Sequence, residues 1–186
     1  DSPRSIPKWT PLSGISQDLI KAVISSEDQK FFDHNGFDWD AAEAAFHHNL
    51  KSDKKIGAST ISMQTARNVF LWQERNWLRK SLEAYFTFLI ETFWGKERIL
   101  EVYFNVIEWG DGIFGCTEAA ETYFKRSPKK ISPLESAWMA AILPNPRKWS
   151  LEPTKQVETR QARILNSMKT VHLPKKNPAI GDKTTP

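Results

Sequence analysis

The sequence predicts an all-α, or nearly all-α, fold in one domain, and three observations carry that reading. Apolar residues recur at helical spacing in successive segments, capping residues and prolines punctuate those segments, and strand signals are scarce throughout. The 186 residues suffice for one compact core, whereas two domains would each fall near the small end of the usual range. The domain is expected over residues 1–174, followed by a disordered polar tail from Lys175 to Pro186.

The elements follow in order. From Ser16, the residues Leu19, Ile20, Val23 and Ile24 make one apolar face of a helix that ends at Glu27 and Asp28. Asp40 and Glu43 read as a capping box, opening a helix with Ala42, Ala45, Phe46 and Leu50 inward. A lysine-rich loop, Lys51 to Ile56, has no apolar period. Ser59 caps a short helix through Phe70, and Leu78, Leu82, Tyr85, Phe86, Leu89 and Phe93 form a long stripe ended by Gly95. Ile99, Leu100, Tyr103 and Phe104 continue the pattern. A glycine-rich turn from Gly110 to Gly115 separates them from a helix around Glu118 to Phe124. Ser132, Pro133 and Glu135 supply an N-cap, an N1 proline and a box glutamate for a helix that must stop before Pro144. A last helix covers Lys155 to Met168 with Val157, Ile164, Leu165 and Met168 inward.

Composition narrows the partners. A net charge of +4 favours anionic lipid, phosphorylated substrates or nucleic acid. Cys116 is the only cysteine, which excludes an intrachain disulfide, a multi-cysteine zinc site and a redox pair. No stretch reaches the roughly 20 apolar residues that span a bilayer, and Asp1 to Trp9 lacks the apolar run of a signal peptide.

Three segments could carry chemistry. In the first, Glu27 and Asp28 leave a helix beside Phe31, His34, Gly36 and Asp38, where burial by Phe31 and Phe32 would tune a carboxylate as a base; the alternative is a polar helix end and an ordinary loop. In the second, Gly57 to Gln64 is a small-residue turn feeding a helix N-terminus, a place for an anion, with Arg67 on the same side; a capped helix after a loop explains it equally well. It lacks the spacing of a phosphate-binding P-loop. In the third, Arg75, Arg79 and Lys80 gather near Glu83, which reads either as a surface ion pair or as a pyrophosphate grip, since guanidinium forks match phosphate oxygens. Histidines 34, 47, 48 and 172 form no metal motif, and the S-x-x-K triplets lack the S-D-N and K-T-G partners of a penicillin-binding serine site.

Taken in order, the segments E-D-Q-K-F-F-D-H-N-G-F-D from Glu27, G-A-S-T-I-S-M-Q from Gly57, R-K-S-L-E from Arg79, K-E-R-I-L-E-V-Y-F-N from Lys96, Y-F-K-R-S-P from Tyr123 and L-P-N-P-R from Leu143 resemble the bacterial peptidoglycan glycosyltransferase family. That family includes the glycosyltransferase module of class A penicillin-binding proteins, and V-I-E-W-G-D-G-I-F-G from Val106 is similar to its monofunctional branch. The resemblance implies a lysozyme-like helical domain with a larger lobe and a smaller membrane-contacting lobe. It also implies a single transmembrane anchor preceding Asp1, and a catalytic domain on the outer face of the cytoplasmic membrane.

The substrates so implied are a growing glycan on undecaprenyl pyrophosphate as donor and lipid II as acceptor. Glu27 would take the proton of the acceptor 4-hydroxyl. Arg67, Arg75, Arg79 and Lys80 would hold the donor pyrophosphate, with Glu83 as a second essential acid that orients the cations or a bound Mg²⁺. Asp28, Ser59, Thr60, Gln64 and Asn105 would bind substrate. No organic cofactor is implied, and the partners would be the membrane surface, other cell-wall synthases and divisome proteins, with no nucleic acid. The chain departs from the family's usual residues at Met63, Arg67 and Phe104, and only Met63 removes a polar group. Rival readings are a lysozyme-like hydrolase of the same polymer, which accounts for Glu27 but not for the cations, and a basic binding module.

Overall fold

A computed structural model describes residues 8–53, 56–72, 74, 76–151 and 154–174. Arg75 and the segment 175–186 lie outside the described residues. The chain is mainly helical, and the two strands among the described residues form one small hairpin.

Helix α1, Gln17–Glu27, starts where Ser16 Oγ accepts from Asp18 N, and it buries Leu19, Ile20, Val23 and Ile24. Helix α2, Trp39–Lys51, begins before Asp40, because Asp38 is its cap: Asp38 Oδ1 accepts from Ala41 N at 2.9 Å. Asp40 is instead drawn into an exposed ion pair with Lys30 at 2.6 Å, and each partner shifts the other's pKa, Lys30 upward and Asp40 downward. The expected inward face of α2 is also corrected. Only Ala45 is buried, while Phe46 and Leu50 are exposed.

Helix α3, Ile61–Phe70, is capped by Thr60 rather than Ser59, since Thr60 Oγ1 accepts from Met63 N. Helix α4, Trp77–Phe93, starts on Asn76, whose Oδ1 accepts from Arg79 N at 2.7 Å. Its orientation differs from the apolar stripe in the sequence. The buried side of α4 is Arg79, Glu83, Thr87 and Ile90, whereas Leu78, Tyr85, Phe88 and Phe93 face outward and Trp77 is 89% exposed. A helix that buries an ion pair and exposes aromatics has its usual amphipathicity reversed, a sign of an outer surface meant for something other than water.

Helix α5, Lys96–Val106, leads into the hairpin of β1, Glu108–Gly110, and β2, Ile113–Phe114, which turns at Gly112 with φ +71°. Helix α6, Cys116–Phe124, opens at Gly115 and ends on left-handed Lys125. Cys116 is buried there, which pushes its thiol up to about 12. Helix α7, Pro133–Ile142, has the expected capping box, with Ser132 N donating to Glu135 Oε2 and Glu135 N to Ser132 Oγ. A short helix α8, Pro146–Trp149, precedes α9, Lys155–Ser167, which buries Val157 and Ile164.

The helices pack in two groups. The alanines of α7, buried at 137, 140 and 141, let it lie close between α1 and α9, while α3 packs on α4 and α5. Trp109, Tyr103, Phe31 and Phe104 are the largest buried side chains, and one continuous core joins the two groups.

The connection from α1 to α2 depends on Gly36, which holds φ +92°. A Cβ there would lie 2.8 Å from Thr87 Cγ2 and 3.0 Å from Glu91 Cγ, so the loop can approach α4 only without a side chain. Gly36→Ala is therefore expected to destabilise the domain by about 1–3 kcal/mol, read as a lowered urea midpoint at unchanged slope.

Candidate active site

Glu27 is the last residue of α1, so its side chain leaves the helix where the backbone turns away, facing the first turns of α3. Gln64 Nε2 donates to its Oε2 at 3.1 Å, while Ser26 Oγ and Arg160 Nη2 donate to its Oε1, each at 3.1 Å. The carboxylate is thus held between α1, α3 and α9.

Gln64 is itself supported from below. Buried Tyr103 donates its hydroxyl to Gln64 Oε1 at 3.2 Å. Burial, and then the charge of Glu27, raise the pKa of this phenol well above the usual value, so it keeps its proton; the acceptor-only carboxylate of Glu27 takes the NH₂ of Gln64, and Tyr103 donates to the amide oxygen that remains.

Asp28, next in the chain, performs a different task. Its Oδ1 meets His34 Nε2 at 2.9 Å and its Oδ2 accepts from Ile61 N at 2.9 Å. Since His34 Nδ1 accepts from Gly36 N, the proton of the imidazole sits on Nε2 and points at Asp28. Thr60 Oγ1 donates to Gly36 O at 2.6 Å, and Lys96 Nζ binds His34 O and Glu91 while lying over the Phe31 ring. Asp28, His34 and Thr60 therefore brace the end of α1 against the start of α3, and the oxygens of Asp28 are engaged within the protein.

Three clefts that share lining residues run along this region, and Glu27 lines two of them. The largest, roughly 1110 Å³, is lined by Glu27, Ser59, Gln64 and Arg67 on one wall and by Lys155, Arg160 and Arg163 of α9 on the other. Past Gln64 and Arg67 a second cleft continues to Arg79, Trp72 and Phe114. A third, also lined by Glu27, carries Asp28, Lys30, Asp38, Asp40 and Gly57 to Thr60. Beside Glu27 the charged residues of the largest cleft are thus all cations, while the third mixes carboxylates with Lys30, which pairs with Asp40.

At the far end Glu83, only 1% exposed, accepts from Arg79 Nη1 at 2.9 Å and from Lys80 Nζ at 2.5 Å. Arg79 Nε is buried without a partner.

Among the expected residues, the structure brings Glu27, Asp28, Ser59, Thr60, Gln64, Arg67 and Arg79 to these clefts, with Lys80 and Glu83 behind Arg79. It does not bring Asn105 there. The amide of Asn105 is spent on the N-terminal segment, donating to Thr10 O and accepting from Thr10 N, each at 2.8 Å.

A family model for transglycosylases matches residues 4–169. The chain belongs to the transglycosylase family. Among relatives of this transglycosylase, the biosynthetic peptidoglycan transglycosylase of Bdellovibrio bacteriovorus is 54% identical over 159 residues, 85% of this chain and 64% of the relative. Those of Rhodospirillum centenum and Caulobacter vibrioides are 52% and 51% identical, over 88% and 84% of this chain and 71% and 69% of their own. The chain thus spans about two thirds of the length of these relatives.

Whether the transglycosylase could hold Mg²⁺ by its own side chains is answered by the donor set. Both oxygens of Glu83 face cationic nitrogens, and among the described residues no group of three or more His, Cys, Asp or Glu side chains is placed to hold a metal ion. These residues do not form a carboxylate cage for Mg²⁺.

The reading from sequence missed Arg160, Arg163, Lys155, Ser26 and Tyr103. A signal existed for Arg160: it lies three residues after buried Val157 and four before buried Ile164, so the helical period puts its charge on the packed face of α9.

Proposed function

We propose that this chain is the catalytic domain of a peptidoglycan polymerase. It transfers a growing glycan from undecaprenyl pyrophosphate onto the 4-hydroxyl of the GlcNAc of lipid II, with Glu27 as the general base. The observation that carries the reading is the position of Glu27, which lines two clefts at once, one of them walled by Arg67 and the cations of α9 and continued past Gln64 and Arg67 by the cleft of Arg79.

In this mechanism the acceptor O4 attacks the donor muramyl C1 from the face opposite the pyrophosphate. The O4–C1 bond forms as the bond from C1 to the phosphate oxygen breaks. The hydroxyl proton passes to Glu27, and undecaprenyl pyrophosphate leaves with the bonding pair, inverting an α-linked donor to a β-1,4 linkage. Negative charge grows on the leaving oxygen as that bond lengthens, so fixed cations stabilise the transition state more than the ground state. Arg67, Arg79 and Lys80 fill this role, with Glu83 holding the last two in place. Arg75, expected beside them, lies outside the described residues.

The substrates carry long lipid chains, and the outward aromatics of α4 give the domain a surface that suits a membrane. No helix among the described residues is long and apolar enough to cross one. The catalytic domain would then work at the outer face of the cytoplasmic membrane. Replacing Trp77 and Phe88 together by serine is expected to lower co-sedimentation with anionic phospholipid vesicles at least about tenfold at unchanged melting temperature. Burying either ring contributes about 1.5–3 kcal/mol, and 1.4 kcal/mol is already tenfold in affinity.

The test of the reaction uses labelled lipid II and, separately, purified sacculi. Glycan polymer from lipid II supports the proposal, while soluble muropeptides released from sacculi, with no polymer, would replace it by hydrolysis of the finished wall.

A further inference from the structure

Arg160 is the one side chain of α9 that touches the carboxylate of Glu27. Its Nη2 donates to Ser26 Oγ at 2.7 Å and to Glu27 Oε1 at 3.1 Å, and Ser26 Oγ donates in turn to the same oxygen. The three groups close a triangle between the end of α1 and the middle of α9. A carboxylate oxygen offers two lone-pair directions, so Oε1 is filled by its two donors, whereas Oε2 accepts from Gln64 alone and keeps one direction open.

We infer that Arg160 is a positioning residue for the reaction: by saturating Oε1 it fixes the rotation of the Glu27 carboxylate so that Oε2 receives the proton of the acceptor hydroxyl. The inference rests on the reading of Glu27 as the base.

The position of Arg160 suits this task. Its neighbours on the helix face, Val157 and Ile164, are buried, and α9 packs along both α1 and α7, so the guanidinium is delivered to Glu27 by a fixed helix rather than by a loop. Arg160 Nε is buried with no partner, so the guanidinium is committed to this contact at the cost of an unmet donor. No other cation has a hydrogen bond to Glu27 among the described residues. Arg67 and Arg163 line the same groove and leave Glu27 to Arg160.

A base that rotates freely presents the wrong oxygen or the wrong lone pair for much of the time, and misplacement on the scale of 1 Å costs about 10²-fold in rate. Lysine keeps the charge but loses the planar fork, so it should restore only part of the orientation.

The experiment measures kcat and KM for lipid II polymerisation, with melting temperatures, for the wild-type chain, Arg160→Ala, Arg160→Lys and Glu27→Gln. The expected result is a fall in kcat of about 10²-fold in Arg160→Ala with KM within about threefold, and recovery of about tenfold in Arg160→Lys, all at similar melting temperature. An unchanged kcat in Arg160→Ala, or a raised KM with kcat intact, overturns the inference, the second because it makes Arg160 a substrate ligand. A kcat loss in both Arg160 variants that tracks a lowered melting temperature overturns it too, by making the residue structural. If Glu27→Gln itself polymerises at the wild-type rate, the assignment of the base has failed, which is distinguishable from a failure confined to Arg160.

Discussion

Glu27→Gln is expected to lower lipid II polymerisation by 10²–10⁴-fold, the usual contribution of a positioned general base, while the domain remains folded. The loss follows from chemistry rather than shape. An amide has the outline of a carboxylate but cannot accept the hydroxyl proton at neutral pH, so the attacking oxygen must shed it to water while the C–O bond forms. The surroundings of position 27 can absorb the change. If the new side chain keeps its oxygen toward Ser26 and Arg160, its NH₂ faces the NH₂ of Gln64, two donors in opposition. Gln64 can resolve this by turning its amide over, giving its oxygen to position 27 and its NH₂ to Tyr103, whose phenolic oxygen can accept as well as donate. The expected stability cost is therefore about 1 kcal/mol, roughly one hydrogen bond, or a few degrees at most in melting temperature. A variant that loses activity only by unfolding would show a far larger shift, so the two measurements together separate a lost base from a lost fold.

How much of this arrangement could be read from the sequence depends on what kind of signal each residue leaves. Capping chemistry is local, which is why the box at Ser132 and Glu135 and the stop before Pro144 are legible, while the cap of α2 on Asp38 is not: Asp38 and Asp40 offer the same chemistry two residues apart, and the choice is made by Lys30, which claims Asp40. Periodicity correctly places Val157 and Ile164 inward but fails on α4 and α2. On α4 the stripe of Leu78, Leu82, Tyr85, Phe86, Leu89 and Phe93 has helical spacing, yet only Leu82, Phe86 and Leu89 are half-buried, and the fully buried side is the one with Arg79, Glu83, Thr87 and Ile90. The assumption behind the method is that apolar surface leaves water by entering the protein, and a helix that turns it outward breaks that assumption. Charge complementarity over long sequence distances is illegible for a simpler reason. The approach of Arg160 to Glu27 spans 133 residues, and it exists only once α9 has docked on α1.

The inverted burial of α4 gives the largest expected effect on stability. Glu83→Gln leaves Arg79, 7% exposed, without a counter-charge inside the protein, whereas half-exposed Lys80 can turn to solvent. Breaking a buried pair by removing one partner typically costs 3–5 kcal/mol, because the remaining charge has lost its solvation and its partner together, and Arg79 already carries an unpartnered Nε. For a chain of this size that is a fall of roughly 6–20 °C in melting temperature. Activity should fall with it, but the cause would be ambiguous. Combining Arg79→Met with Glu83→Leu separates the two, because a buried pair replaced by apolar groups of similar volume is often neutral or stabilising. The double variant is expected to recover most of the lost stability, measured by urea unfolding, and none of the lost polymerisation, because the departing pyrophosphate then lacks the Arg79 guanidinium. Recovery of activity together with stability would mean that Glu83 and Arg79 serve the fold alone, and the stabilisation of the leaving group would have to be sought along α9 instead.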